Sequence, residues 1–71
     1  MNINIEIRGG KIESKVMEVN EGARIIDIVR MLGVHPDGAV FFLNDEPVST
    51  MERVSEGDSL LILIAASGGF N

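Results

Sequence analysis

Few residues in this chain are of types that carry out chemistry. The sequence contains no cysteine and one histidine, His35. The lack of cysteine excludes disulfides, thiolate zinc sites, iron–sulfur ligation and a cysteine nucleophile. His35 stands beside Pro36 with no second ligand or nucleophile close in sequence, so we interpret it as a loop residue. Four further acids are more typical of a solvated surface than of paired catalytic carboxylates or a metal site: Asp45, Glu46, Glu52 and Glu56.

The strongest functional candidate is a pair of glycines near the C-terminal end of the sequence. Gly68 and Gly69 follow Ser67, and Phe70 and Asn71 come after them. Side-chain bulk falls steadily towards the glycines, which predicts a thin, mobile tail. We therefore predict a folded domain over residues 1–67 and a flexible tail over residues 68–71. The alternative is that the glycines only end the fold, since flexible chain ends are ordinary.

Composition limits the partners of the chain. Eleven acidic residues against six basic ones give a net charge of −5, and 45% of residues are hydrophobic. The hydrophobic fraction is that of a packed globular domain. An acidic surface repels phosphate groups, so we expect neither nucleic acid nor an anionic membrane as a partner, and a basic groove on another protein suits it better. Residues 1–6 lack the pattern of a signal peptide, which predicts a cytoplasmic protein.

Two strands are predicted at the start of the chain. Ile3, Ile5 and Ile7 alternate with polar residues, which is the period of a half-buried strand. Gly9-Gly10 then suits a tight hairpin, because both glycines can take positive φ. A second strand is predicted over residues 11–19. Its apolar residues fall in mixed phase, so we predict a bulge near Ser14.

A helix follows. Four apolar residues recur at i, i+3, i+4 and i+7 and form one stripe: Ile25, Ile28, Val29 and Leu32. Gly33 is predicted to end the helix, since glycine tolerates the left-handed conformation. Arg24 is a poor N-cap residue, so the first turn of the helix is the least defined part of this prediction.

Three more strands are predicted after a connector over residues 34–38. Ala39–Leu43 forms one strand, residues 44–47 turn the chain, and a short fourth strand lies at Val48. Pro47 favours a position at the sheet edge. Residues 50–56 form a polar link with one loose helical turn, and Gly57-Asp58 turns the chain into the last strand.

That last strand, over Ser59–Ile64, is the most apolar run in the sequence. Its length fits a strand covered on both faces, whereas a membrane helix needs ~20 apolar residues. We place it at the centre of the sheet, parallel to the first strand. One helix covers only one face of a sheet, so the prediction is a two-layer α+β fold: a mixed sheet of about five strands curled round one helix.

The order of elements and five positions carry a resemblance to a known family. These positions are Asn44 in the turn after the third strand, Gly57-Asp58 before the last strand and Gly68-Gly69 after it. Gly22 before the helix and Gly33 after it also match. The chain resembles the β-grasp (ubiquitin-like) superfamily and, within it, the ThiS/MoaD sulfur-carrier family. The resemblance covers the whole chain.

The resemblance implies a function for the tail. In such proteins an E1-like partner uses ATP and Mg²⁺ to adenylate the terminal glycine, here Gly69, and a sulfur donor then displaces AMP to leave a thiocarboxylate. The segment with Gly68 and Ser67 would thread a narrow channel in the partner, where glycine backbone can approach closely. The carrier is then a substrate of its partners, a sulfur donor and acceptor among them. It is not expected to be an enzyme or to bind a cofactor or metal itself.

Phe70 and Asn71 depart from the family pattern. With these residues attached, Gly69 has no free carboxylate to adenylate. Some members of the wider family are precursors that a JAMM-type metalloprotease trims after Gly-Gly. By this resemblance we expect Phe70 and Asn71 to be removed.

An apolar surface is also predicted. Leu60, Ile62 and Ile64 alternate with Leu61 and Leu63. If the first set faces the helix, Leu61 and Leu63 face outward, near Phe42 of the adjacent strand. These three residues form a candidate docking patch for the activating enzyme and the sulfur acceptor. The alternative is that loops or a second copy of the chain cover them.

Two other functions stay open. One is a ubiquitin-like modifier joined to lysines of target proteins. The ubiquitin-type relatives have a basic tail, whereas residues 65–67 are neutral here, which favours sulfur transfer. The other is an interaction domain that never uses its C-terminal glycines.

Overall fold

The structure, a computed structural model, describes residues 1–65. In this part of the chain the elements are β1 (Asn2–Arg8), β2 (Ile12–Glu18), α1 (Ile25–Leu32), β3 (Ala39–Leu43), β4 (Glu46–Val48) and β5 (Ser59–Ile64), with a 3₁₀ turn at Pro36–Gly38. The strands form one five-stranded sheet in the order β2-β1-β5-β3-β4. The predicted α+β, two-layer architecture is therefore confirmed.

β5 occupies the centre of the sheet, as its apolar sequence predicts. It runs parallel to β1, with Ile5 opposite Leu60, and antiparallel to β3, with Phe41 opposite Ile62. A parallel neighbour on one side and an antiparallel one on the other make the sheet mixed. The final strand is thus held along its length by backbone hydrogen bonds on both sides.

The core lies between the sheet and one face of α1. Alternate residues of β1 and β5 meet the apolar stripe of the helix, because strands repeat every two residues and helices every 3.6. The buried core residues are Ile3, Ile5, Val19, Ile25, Ile28, Val29, Phe41, Val54, Leu60 and Ile62. Leu32, the last member of the predicted stripe, packs partly buried against this cluster.

The bulge predicted near Ser14 is wrong. The β1–β2 register is continuous from Asn2 opposite Glu18 to Arg8 opposite Ile12. The mixed phase has a different cause: the sheet face opposite α1, called the outer face below, leaves Ile12 and Val16 exposed at 64% and 65%. An exposed strand face does not impose one apolar phase on its sequence.

The two hairpin glycines serve different purposes. Gly10 has the predicted positive φ, 93°, and Gly9 does not. At Gly9 the requirement is space, because an added Cβ would lie 2.9 Å from Cβ of Ile64. The predicted hairpin is confirmed, but it uses positive φ at Gly10 and not at Gly9, where the end of β5 comes too close for a side chain.

The start of α1 is held by groups that sequence periodicity does not reveal. The Asp27 carboxylate accepts a hydrogen bond from the Arg24 backbone N–H at 2.9 Å. The N–H groups of Ile25 and Ile26 donate to the carbonyls of Glu52 and Thr50, at 2.9 and 2.8 Å. A helix start leaves such N–H groups without partners inside the helix, and here a distant segment supplies them.

The other end of α1 follows the prediction. Gly33 is the C-cap residue with φ 75°, in the left-handed region. Its N–H donates to the Arg30 carbonyl at 3.1 Å, and the N–H of Val34 reaches the Val29 carbonyl at 3.1 Å. These bonds satisfy carbonyls that the helix leaves open at its end.

The helical turn predicted in residues 50–56 is absent. In this link residues 50–51 form a turn. The residues after them are extended, and Val54 is buried. The Val54 N–H donates to the Ala23 carbonyl at 3.1 Å, and Arg53 forms an isolated bridge with Arg24. The start of α1 thus fixes the segment, together with a turn in which the Glu52 N–H donates to the Ser49 carbonyl at 3.2 Å.

A tight hairpin joins β3 to β4. Asn44 and Asp45 both have positive φ, 51° and 71°, which asparagine and aspartate tolerate better than most residues. β4 is an edge strand of the sheet, next to β3, and contains Pro47. The predicted edge position of Pro47 is thus confirmed.

Candidate functional site

The end of β5 leads towards the predicted tail. β5 ends at Ile64, and the N–H of Ala65 still donates a hydrogen bond to the Gly38 carbonyl at 2.8 Å. The fold therefore holds the chain up to Ala65. The residues predicted to act or to be processed lie outside the described residues: Ser67, Gly68, Gly69, Phe70 and Asn71. The predicted boundary between domain and tail, at residue 67, lies there too.

Small residues surround the point where β5 ends. Ala39, the first residue of β3, pairs with Ile64, and Gly38 precedes it. On the other side Gly9 lies against the Ile64 side chain. Two neighbouring segments thus approach the end of β5 with little side-chain bulk.

The predicted docking patch lies together on the outer face. Phe42 is directly opposite Leu61 in the β3–β5 pair. Leu60 and Ile62 are buried towards α1, so alternation places Leu61 and Leu63 on the other side of the sheet. Phe42, Leu61 and Leu63 are all half-buried, with accessible surface on that face. The structure thus groups the three side chains; their role as a binding site stays a prediction.

Val40 enlarges this patch and was not predicted. It pairs with Leu63 across β3 and β5 and is 48% exposed. Val40 lies two residues before Phe42, and residues two apart on a strand share a face. The same alternation that identified Leu61 and Leu63 could therefore have identified Val40.

A polar row borders the patch on the β1 side. Glu6 is the β1 neighbour of Leu61, and Arg8 is the neighbour of Leu63. Arg8 donates to Glu6 through Nε, so the two charges form an ion pair on the outer face. An apolar centre with a charged rim is the usual composition of a protein-binding surface.

The start of β5 is fixed by side-chain hydrogen bonds. The Asn44 side chain donates to Asp58 Oδ1 at 3.0 Å and accepts from the Ser59 N–H at 2.9 Å. Asp58 Oδ2 also accepts from the Ser55 N–H at 2.7 Å. Asn44 and Gly57-Asp58 were noted in the sequence as separate motif positions. In the structure the side chains of Asn44 and Asp58 contact each other. Asn44 also accepts from the backbone of Ser59, so the pair holds the first residue of β5 in place.

The other ionisable side chains singled out in the sequence do not come together in one site. His35 is exposed beside the 3₁₀ turn, and Glu52 and Glu56 are exposed on the link before β5. Within residues 1–65, no group of three or more histidine, aspartate or glutamate side chains could hold a metal ion. Asp45 and Glu46 are exposed at the β3–β4 turn. Of the features described, the surface formed by the end of β5 and the docking patch is thus the best candidate site.

Comparison with models of protein families shows which family the chain belongs to. The model of the ThiS family matches residues 2–69, from the start of β1 through both C-terminal glycines. The chain belongs to the ThiS family.

Solved structures agree on the fold of this ThiS-family chain. SAMP1 from Haloferax volcanii superposes with a TM-score of 0.74 over 97% of this chain and 100% of that protein, at 19% identity. A ubiquitin-like protein from the archaeon Caldiarchaeum subterraneum gives a TM-score of 0.63 over 90% and 95% of the two chains, also at 19% identity. These similarities confirm the predicted β-grasp, ubiquitin-like fold.

Within residues 1–65 of this ThiS-family chain, no helix is long and apolar enough to cross a bilayer.

Proposed function

We propose that this chain is a sulfur carrier that is adenylated and then thiocarboxylated at Gly69. The observation that carries the proposal is the ThiS-family match through residue 69, which includes Gly68-Gly69. Sulfur transfer is the function that the resemblance implies for such a tail. The chain would act as a substrate of its partner enzymes, in the cytoplasm, with no catalytic residue of its own.

The geometry of β5 supports this proposal. β5 is paired on both sides, and the Ala65 N–H donates to the Gly38 carbonyl, so the position of Ala65 relative to the sheet is well defined. Four residues, 66–69, separate Ala65 from the carboxyl group of Gly69. A chain of this length extends at most about 13 Å. Gly69 could therefore enter a narrow nucleotide pocket of a partner while the folded domain stays outside.

The first step needs a free carboxylate at Gly69. A C-terminal carboxylate has a pKa of about 3.5 and is ionised at neutral pH. Its oxygen attacks the α-phosphorus of ATP, pyrophosphate leaves, and an acyl-adenylate forms. Both reactants are negative, so an E1-like partner must supply the positive groups and Mg²⁺ that reduce their repulsion. A sulfur donor then attacks the acyl carbon and AMP leaves, and an acceptor enzyme later takes the sulfur.

Processing must precede that step. In this sequence the carboxyl carbon of Gly69 is bonded to the nitrogen of Phe70. Hydrolysis of this peptide bond releases Phe70 and Asn71 and exposes the Gly69 carboxylate. We assign this hydrolysis to a JAMM-type metalloprotease, as the resemblance implies for precursors.

The docking patch gives the activating enzyme a surface to bind. Phe42, Leu61 and Leu63 lie on the central strands, and Leu63 is two residues from Ala65. An enzyme bound at this patch is therefore close to the point where the chain leaves the sheet. The net charge of −5 favours a basic surface around its binding groove.

The main test compares chains that differ only at the C-terminal end. Three forms are prepared: residues 1–71, residues 1–69 and, as the matched control, residues 1–68. Each is given to the E1-like enzyme of the same host with ATP, and ATP–pyrophosphate exchange is measured. We expect exchange with the form ending at Gly69 alone. No exchange with that form, or equal exchange with all three, would refute the role of Gly69.

The product distinguishes sulfur transfer from protein modification. The intact mass of the chain isolated from its own host should show loss of Phe70-Asn71 and exchange of one oxygen for sulfur. A modifier is the second candidate, because a ubiquitin-like protein shares this fold. In that case Gly69 would be found joined to lysine amines of other proteins, with no sulfur. An unaltered chain of 71 residues would instead favour an interaction domain.

A further inference from the structure

The outer edge of β2 carries unused backbone hydrogen-bonding groups. Among residues 1–65, β1 alone pairs with β2. The Val19 N–H donates to the Met1 carbonyl at 2.8 Å, and the Gly9 N–H donates to the Lys11 carbonyl at 3.1 Å. Antiparallel pairs alternate, so odd-numbered residues of β2 bond to β1. The backbone groups that face the free edge belong to the even-numbered residues Ile12, Ser14, Val16 and Glu18.

The two edges of the sheet differ in how open they are. β4 is three residues long and contains Pro47, which lacks an N–H group. Short strands and proline prevent edge-to-edge pairing. β2 is seven residues long, has neither glycine nor proline, and is exposed at every residue except Met17. Only the β2 edge is therefore suited to accept another strand.

We propose that β2 pairs antiparallel with β2 of a second copy of this chain, with the two-fold axis at Ser14. In this register Glu13 lies opposite Lys15 of the second copy, and Lys15 lies opposite its Glu13. Ile12 lies opposite Val16, and the symmetry repeats this contact as well. A symmetric dimer requires such self-complementary pairs.

The charges of Glu13 and Lys15 favour this register over those with the two-fold axis shifted by one residue. Glu13 and Lys15 are exposed, and neither is in an ion pair within residues 1–65. A shift that puts the axis at Lys15 would place two lysines directly opposite each other. A shift to Glu13 would do the same with two glutamates. Like charges directly opposite on adjacent strands are destabilising, whereas opposite charges contribute favourably.

The backbone and the outer face agree with the same register. An axis at Ser14 pairs even-numbered residues with even-numbered ones, and these are the residues whose N–H and carbonyl groups face the free edge. Ile12 and Val16, exposed at 64% and 65%, would cover each other across the interface. Hydrogen bonding therefore allows axes that lie on a residue, and among the axes at Glu13, Ser14 and Lys15 both charge and apolar contact favour Ser14.

The dimer leaves the proposed sulfur-carrying end free. β1 separates β2 from β5, so the docking patch is not on the interface strand. Both copies could present their C-terminal segments at the same time. The dimer would join two five-stranded sheets into one continuous sheet.

Charge reversal provides the first test, with the full chain in sedimentation experiments from about 10 μM to 1 mM. Glu13→Lys and Lys15→Glu should each lower the association constant at least about tenfold, because two attractive pairs become repulsive. Mixing these two variants should restore association as a heterodimer, and the double variant should restore the homodimer. Circular dichroism should show unchanged folding, since both side chains are exposed.

Cysteine cross-linking provides the second test and uses the absence of native cysteine. In an antiparallel hydrogen-bonded pair the Cα atoms are about 5.5 Å apart, within the range of a disulfide. Ser14→Cys should therefore form a disulfide-linked dimer under mild oxidation at least about tenfold faster than Glu18→Cys. In the proposed register the two copies of residue 18 are about 26 Å apart.

Either of two results would overturn the proposal. One is a chain that remains monomeric throughout the concentration range, which would leave the β2 edge to a strand of another protein. The other is association that charge reversal does not change, or cross-linking at equal rates in the two cysteine variants. Both would show that copies do not meet at Ser14.

Discussion

The two ends of β5 are held in different ways. At its start, the Asn44 side chain bonds to Asp58 and to the backbone of Ser59. At its end, a backbone bond joins Ala65 to Gly38, and Gly9 packs against Ile64 without a side chain. The start is thus fixed by polar side chains in a defined geometry, and the end by close backbone approach.

Because of this difference, we assign stability mainly to the start of β5 and partner recognition mainly to the surface near its end. A network of polar side chains fixes where β5 begins and connects it to the turn that follows β3. The end holds Ala65 through its backbone bond to Gly38 and lies beside the docking patch. Substitutions at the start should therefore lower stability and leave recognition unchanged. Substitutions on the surface near the end should affect recognition more than stability.

The largest loss of stability is expected for Asn44→Ala. This change removes two side-chain hydrogen bonds and places alanine at φ 51°, in the left-handed region. The strain costs about 1–2 kcal/mol. The lost bonds add about 1–2 kcal/mol, so the free energy of unfolding should fall by about 3 kcal/mol in chemical denaturation.

Asn44→Gly is the matched control for this prediction. Glycine accepts the positive φ but makes neither hydrogen bond, so about half of the loss should remain. Equal losses in the two variants would show that backbone strain has no role. An unchanged free energy of unfolding in both would show that the Asn44–Asp58 contact does not hold the start of β5.

A smaller loss, about 1–2 kcal/mol, is expected for Gly9→Ala at the other end. Its Cβ would lie 2.9 Å from Cβ of Ile64, so one of the two segments must move. In an Ile64→Gly background the clash is absent, and Gly9→Ala should then be close to neutral. A double-mutant cycle measured by denaturation should give a coupling of about 1–2 kcal/mol. Additive effects would contradict the close contact.

Periodicity is the reason why most of the fold could be predicted from sequence. Alternation located β1, an unbroken apolar run located β5, a stripe at i, i+3, i+4 and i+7 located α1, and Gly33 and Pro47 marked a helix end and a sheet edge. These signals are local, because each depends on how one element repeats its side chains. The high apolar content of β5 also predicted its central place.

The parts that sequence did not predict depend on contacts between distant segments. The first turn of α1 is completed by the carbonyls of Thr50 and Glu52, which lie more than twenty residues away in sequence. Gly9 is required by Ile64, which lies far from it in sequence. At the site, alternation grouped Phe42 with Leu61 and Leu63. The contact between Asn44 and Asp58 has no periodic signal.

The smallest loss of stability is expected for Leu63→Ala, on the outer face beside the end of β5. Leu63 is half-buried, so truncation should lower the free energy of unfolding by at most about 1 kcal/mol. If the docking patch binds the activating enzyme, its KM for the form ending at Gly69 should rise about tenfold, as for a central interface residue. The kcat should stay unchanged, because the reacting carboxylate is untouched. Met31→Ala is the matched control, since Met31 is 63% exposed on α1, away from the outer face. An equal rise in KM for both variants would show that the effect is not specific to the patch, and an unchanged KM for Leu63→Ala would remove the patch from recognition.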